Sequence, residues 1–174
     1  MTARTGNKVK KVYLIGSLRN PEIPKLAKKI RKLGFEVFDD WYAAGPEADD
    51  KWRDYEKARG RTYKEALKGF AAEHLYRFDL KHLNACDIGV LYLPTGKSGH
   101  LELGYIIGRG KKGYILLDNP ERWDVMYKFA TGVFHSFEEL KEELKKINNP
   151  ELTLGVSFSI QIKSKRPWAY PRLC

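Results

Sequence analysis

A glutamate inside an apolar helix is the first residue in this chain that calls for a chemical explanation. Glu102 stands in Ser98-Gly99-His100-Leu101-Glu102-Leu103-Gly104, with Ile106 and Ile107 just beyond, so its surroundings are predicted to be buried. The helix read from Leu101 to Ile107 puts it in the first turn, where the macrodipole favours an ionised carboxylate. A buried acid needs a partner or a task; the plain alternative is a glutamate that only stabilises its own helix. Asp79, between Phe78 and Leu80, is a second acid in apolar company, and its plain alternative is an ion pair with Arg77 or Lys81. Two carboxyl groups facing one small cavity suit sugar chemistry. One attacks the anomeric carbon to give a covalent glycosyl intermediate, and the other assists the departing group. An anionic neighbour also stabilises the oxocarbenium-like transition state. His100 either lines such a site or satisfies a loop, and Asp87 reads as structural. No His/Cys cluster has metal-ligand spacing, so neither a metal nor a cofactor is expected.

These residues need elements to bring them together. Lys11-Val12-Tyr13-Leu14-Ile15-Gly16 reads as a buried strand, followed by Asn20-Pro21 as a cap and first turn and by a helix with Ile23, Leu26, Ala27, Ile30 and Leu33 on one face, stopped at Gly34. Phe35 to Phe38 is a second strand. Tyr42 to Asp54, rich in Gly, Pro and Asp, reads as a long loop of the kind that carries function. Tyr55 to Leu83 is helical, broken near Gly60 or Gly69. Cys86 to Leu93 is the clearest central strand and Gly113 to Leu117 the next. Ser136-Phe137-Glu138-Glu139 has the form of a capping box and opens a last helix to about Ile147. Alternating strands and helices predict an α/β fold, a flavodoxin-like three-layer sandwich around a parallel sheet of about five strands. Its ligand site is expected beyond the carboxyl ends of the strands. Residues 1–150 form that domain; residues 151–174 are a basic extension in which Val156 to Ile162 alternates like a strand, but Pro167 and Pro171 suggest an irregular end.

Three polar groups fall at those strand ends: Gly16-Ser17-Leu18-Arg19, Asp39-Asp40-Trp41, and Thr95 to Glu102. The first could hold an anion with backbone N–H groups and a guanidinium, or be an ordinary strand–helix turn.

Bulk properties narrow the classes. A chain of 174 residues has the size of one domain, and no apolar run approaches the roughly 20 residues that span a bilayer. The first residues carry no signal-peptide core, and two distant cysteines, Cys86 and Cys174, are not a disulfide framework, so a cytoplasmic location is expected. The net charge of +10 is concentrated in residues 1–12 and 155–174, leaving the middle close to neutral. That argues against nucleic acid as the partner. A non-catalytic nucleotide sensor and a nucleic-acid-binding protein working through the basic ends are the rival classes.

Taken together, residues 9–147 resemble the nucleoside 2-deoxyribosyltransferase family and its relatives, the 2'-deoxynucleoside 5'-monophosphate N-glycosidases. The resemblance rests on Val12 to Ser17, on Phe78-Asp79-Leu80-Lys81 before Cys86 to Val90, and on Gly99 to Tyr105. It implies Glu102 as nucleophile, Asp79 as the acid assisting the base, and Tyr13 close to the nucleophile. It further implies Asp39, Asp40 and Trp41 at the base, and Gly16, Ser17, Arg19, Ser98, Gly99 and His100 around the sugar and any phosphate. Asp124 and Met126 resemble a segment that a neighbouring subunit contributes at the sugar's 5' end, which implies a homodimer or higher oligomer with shared sites. At Asp124 the transferases carry an amide and the hydrolases a hydroxyl. A carboxylate accepts from a 5'-hydroxyl but repels a phosphate unless Arg19 or Arg122 compensates, which favours nucleosides and free base as partners. The expected reaction is transfer of a 2-deoxyribosyl group between bases, with hydrolysis of a monophosphate as the alternative.

Overall fold

The computed structural model describes residues 8–117 and 123–149. Five strands, β1 (Lys11–Ile15), β2 (Glu36–Phe38), β3 (Ile88–Tyr92), β4 (Lys112–Leu116) and β5 (Gly132–Phe134), form one sheet in the order β2-β1-β3-β4-β5, every neighbouring pair parallel. That is the flavodoxin-like order, whose switch point lies between β1 and β3. The helices are α1 (Ile23–Arg31), α2 (Ala48–Ala58), α3 (Tyr63–Ala66), α4 (Phe70–Ala85), α5 (Lys97–Gly108) and α6 (Phe137–Asn148), with 3-10 turns at Asp40–Ala44 and Val125–Phe129.

The strands are short and apolar because both faces are covered. Val12, Leu14, Ile88, Val90, Tyr114 and Leu116 meet α1 and α6 through Ile23, Leu26, Ile30, Leu140 and Leu144. Tyr13, Ile15, Phe38, Leu91 and Ile115 face the other way, onto α4 and α5 through Leu83, Leu103 and Ile106. Helix α5 lies especially close. Gly89 and Gly113 are register partners in β3 and β4, and a Cβ on either would stand 2.7 Å from Ile106 Cδ1 or 2.6 Å from Ile107 Cγ1. The two glycines form a shallow seat for the helix that carries Glu102. Asp87 joins β3 to β1 by accepting from Lys11 N at 2.8 Å. Lys111 Nζ donates to Leu83 O at 3.1 Å and Asn84 O at 2.7 Å, closing the carboxyl end of α4.

Several boundaries differ from the sequence reading. The region expected to be a loop up to Asp54 is a 3-10 turn followed by α2, a polar helix whose one buried residue is Glu56, paired with Arg61 at 3.0 Å. The long helix is interrupted at both glycines, giving α2, α3 and α4. Helix α1 begins at Ile23; Asn20 Oδ1 instead accepts from Glu22 N, holding the turn before it. Ser136 caps α6, but Glu139 reaches back to His135 N, one residue beyond the Ser136 N–H that a true capping box uses. The strand Gly132–Phe134 was not anticipated. The stretch from Val156 to Ile162 and Arg122 lie outside the described residues. Among the described residues no helix is long and apolar enough to cross a membrane.

Candidate active site

The carboxyl ends of β1 and β3 open into a cavity of ≈ 400 Å³, within the size range of small-molecule sites. Each element supplies a part. Strand β1 contributes Tyr13 and the turn Gly16 to Arg19; the 3-10 turn after β2 contributes Asp40, Trp41 and Ala44. Helix α4 presents Leu75, Phe78 and Asp79, and the loop into α5 gives Thr95, Gly96 and Ser98, with Glu102 beyond them. Gly16 lies close under α1: a Cβ there would collide with Ile23 Cδ1, so that buried side chain would have to shift to admit one. The Ser17 hydroxyl accepts from Arg19 N at 3.2 Å, which fixes the turn that carries the guanidinium.

Glu102, Asp79 and Tyr13 are the cavity's cluster of titratable side chains with shifted pKa values. Helix α5 starts at Lys97, so Glu102 sits in its second turn and not the first. The helix dipole therefore does little for it, since that effect fades within one turn. Its carboxyl is pushed up to about 7, first by burial and then by the Asp79 charge. This corrects the expectation of a carboxylate ionised well below neutral pH: Glu102 is divided between protonated and ionised forms near pH 7. Asp79 is also raised, by burial, with the neighbouring Tyr13 hydroxyl pulling it back partway. Tyr13 is 1% exposed, and burial together with the Glu102 and Asp79 charges holds its hydroxyl protonated, well above the ordinary tyrosine range. Asp79 Oδ1 is buried without a hydrogen-bond partner among the described residues. Two like-charged groups sharing a desolvated site titrate as a pair, and one proton is retained near neutrality.

The cavity walls are divided by chemistry. Trp41 spends its indole N–H on Leu14 O at 2.8 Å, so it offers the cavity an apolar ring rather than a donor. With Leu75 and Phe78 it forms an apolar side suited to a flat heterocycle. Asp40, Asp49 and Arg19 also line the cavity.

Of the residues singled out from the sequence, Glu102, Asp79, Tyr13, Gly16, Ser17, Arg19, Asp40, Trp41 and Ser98 line this one cavity. Asp39 does not: its carboxylate is ion-paired with Arg31, which also donates to Val37 O. Gly99 is buried against Ile15 and Thr95, where it lets α5 approach β1. His100, Asp124 and Met126 lie together in a second, largely apolar groove of ≈ 450 Å³ on the other side of α5, with Leu103, Ile107 and Phe129. There His100 Nδ1 bonds Gly96 O and Nε2 bonds the Tyr127 hydroxyl, both at 3.1 Å. Leu75, Phe78 and Asp49 were missed as lining residues. Leu75, Phe78 and Asp79 share a helix face at i, i+3 and i+4, a signal present in the sequence. Among the described residues no group of three or more His, Cys, Asp or Glu side chains could hold a metal ion.

The strand order and the cleft at the switch point define a doubly wound, flavodoxin-like α/β protein. Solved structures of the same architecture include a conserved protein from Enterococcus faecalis V583, with a TM-score of 0.57 and 17% identity over 80% of this chain and 99% of that one. A 2-deoxyribosyltransferase from Bacillus psychrosaccharolyticus has a TM-score of 0.51 and 19% identity over 75% of this chain and 90% of its own. A CMP N-glycosidase from Clostridium botulinum aligns over 78% of this chain and 98% of its own, with a TM-score of 0.48 and 16% identity. No protein-family model matches the chain, and no curated protein matches it. The likeness to the Enterococcus and Bacillus proteins is one of fold.

Proposed function

We propose that this protein is an N-glycosidic-bond-cleaving enzyme, a nucleoside 2-deoxyribosyltransferase, that works through a covalent glycosyl-Glu102 intermediate. The observation that carries this reading is the convergence of Glu102, Asp79 and Tyr13 on one cavity beside an apolar wall. An oxygen of ionised Glu102 forms a bond to C1' of a 2'-deoxynucleoside as the C1'–N bond breaks. The electron pair of that bond passes to the base nitrogen, and the single proton shared by the two carboxyls, which rests on Asp79 when Glu102 is ionised, neutralises it. A nitrogen of an incoming base then attacks C1' from the vacated side, displacing Glu102 and returning a proton to Asp79. Tyr13, fixed beside both carboxyls, keeps Asp79 oriented. Water in place of the second base would turn the same centre into a hydrolase. The Bacillus structure is itself a 2-deoxyribosyltransferase, which agrees with the resemblance carried by the motifs.

A second reading, hydrolysis of a 5'-monophosphate, draws on Ser17 and Arg19 at the cavity rim. A panel of deoxynucleosides and their monophosphates, incubated with and without an acceptor base and resolved by chromatography, separates exchange from hydrolysis. Absence of free or exchanged base from every substrate would overturn both.

We infer further that the active form is a homo-oligomer in which the Asp124–Met126 segment of one subunit completes the 5' end of another's cavity. Within one subunit that segment lies across α5 from Glu102, and its side of the molecule exposes Leu101, Trp123, Val125, Met126 and Phe129, with Trp123 90% accessible. Exposed apolar side chains gathered in this way mark an association surface. A fully active monomer by light scattering would refute it.

A further inference from the structure

Helix α2 closes one side of the cavity through Ala48 and Asp49, and its next residue reaches the cavity's guanidinium. Arg19 Nη2 donates to Asp50 Oδ2 at 2.8 Å. The other oxygen, Oδ1, accepts from Arg53 Nη1 at 2.8 Å, and Arg53 Nε is in turn committed to Asp54. Arg19 is the one cationic side chain among the described lining residues, set against the carboxyls of Asp40, Asp49, Asp79 and Glu102. Among the described residues neither Asp40 nor Asp49 is held in a side-chain hydrogen bond or ion pair of its own.

We propose that the Arg19–Asp50 pair makes this cavity select an uncharged 5'-hydroxyl over a 5'-phosphate, with Asp50 as the specificity-determining residue. The inference rests on the N-glycosidic reading above and names its substrate class. A phosphate within reach of Arg19 must either share the guanidinium with Asp50, which sets a dianion beside a carboxylate, or displace Asp50 towards Asp49. Both place like charges together in a cleft that already carries an excess of carboxyls. The amides at the start of α5 and in the Gly16–Ser17 turn pull the other way, but a helix end supplies a partial charge where these side chains supply whole ones. A hydroxyl meets no such conflict, since it accepts from Arg19 and donates to a carboxylate with the pair intact.

The test is binding of 2-deoxyribose and 2-deoxyribose 5-phosphate to the full chain by titration calorimetry, a readout independent of turnover. Wild type is expected to bind the sugar phosphate no more tightly than the free sugar. Asp50→Asn is expected to strengthen sugar-phosphate binding by about tenfold relative to the sugar, the scale of removing one nearby like charge at a partly exposed site. Arg19→Gln in the Asp50→Asn background should abolish that gain, because the freed guanidinium is its source. Arg19 is exposed and Asp50 half-buried, and melting curves check that the variants fold. Preference of wild type for the sugar phosphate, or an Asp50→Asn variant with an unchanged ratio, overturns the proposal. The same variants assayed for base release keep the two claims apart. Turnover without the binding contrast sinks the selectivity alone, whereas the contrast without turnover sinks the reaction.

Discussion

The two faces of the sheet are built from one alternating pattern and do opposite work. Strand β1 sends Val12 and Leu14 to α1 and α6, and Tyr13 and Ile15 to α4 and α5, with all four buried to nearly the same degree. On the first face the neighbours are aliphatic and aromatic; the Tyr114 hydroxyl there is satisfied by Glu143 Oε1 at 3.2 Å. On the second, the helices bring carboxyls to the end of the sheet, and burial lifts Asp79, Glu102 and Tyr13 away from their ordinary titration ranges. Burial alone therefore does not mark a functional face in a doubly covered sheet. The distinguishing feature is whether a covering helix turns an acid inward where the strands stop.

Substitutions on the two faces sharpen that contrast. Glu102→Gln should lower turnover by at least about 10⁴-fold, the scale of losing a covalent nucleophile, with an unchanged far-ultraviolet circular dichroism spectrum. Retained activity would remove the chemistry from this face altogether. Leu14→Ala, on the opposite face, should cost about 2–5 kcal/mol of stability in denaturant unfolding by leaving a cavity in a closed core, with kcat of the folded fraction unaffected. Asp79→Asn should reduce kcat by roughly 10²-fold as general-acid assistance is lost. In wild type the reaction needs one proton on the Glu102–Asp79 pair, so kcat/KM should fall as pH rises through about 7, where that proton is lost. The same Asp79 variant, in which no second carboxyl shares a proton with Glu102, should lose that falling limb and keep only its lower rate. A limb that stays in place would separate the two carboxyls.

The smallest effect concerns stability. A carboxyl raised in the folded state binds its proton more tightly there than in the unfolded chain. The stabilisation is complete below the ordinary glutamate range and is lost as pH rises through about 7. Glu102→Gln should therefore unfold at higher denaturant than wild type at pH 8, by roughly 3 kcal/mol, with the gap closing near pH 4. A constant gap across that range would mean that burial does not penalise this carboxylate.

How much of this could be read from the chain alone depended on the length of each signal. Strands β1 to β4 are apolar runs closed by turn residues, and α1 has a clean apolar stripe, so the parallel sheet and its site-bearing ends were foreseeable. Helix α2 was not, because among its eleven residues only Glu56 is buried and its Gly-Pro-Asp approach imitates a loop. Strand β5 has three residues, none fully buried, and too short a run to show a period. Glu102 and Asp79 were found by their apolar company. Asp39 resembled Asp40 in sequence, yet only three-dimensional placement shows that Arg31 claims one while the cavity receives the other. Asp50 carried no local signal at all, since its importance comes from an arginine thirty-one residues away.

The lysine that closes the carboxyl end of α4 makes that helix a lever with one fixed end. Lys111 ties Leu83 and Asn84 to the start of β4. Asp79 stands about 7 Å from this anchor along the axis and Leu75 about 13 Å, at the rise of an α-helix. Any tilt of α4 about the anchor thus displaces Leu75 nearly twice as far as the acid. The Leu75 end of the cleft is the part of α4 most sensitive to how the helix is set, and the carboxyl of Asp79 the less sensitive one.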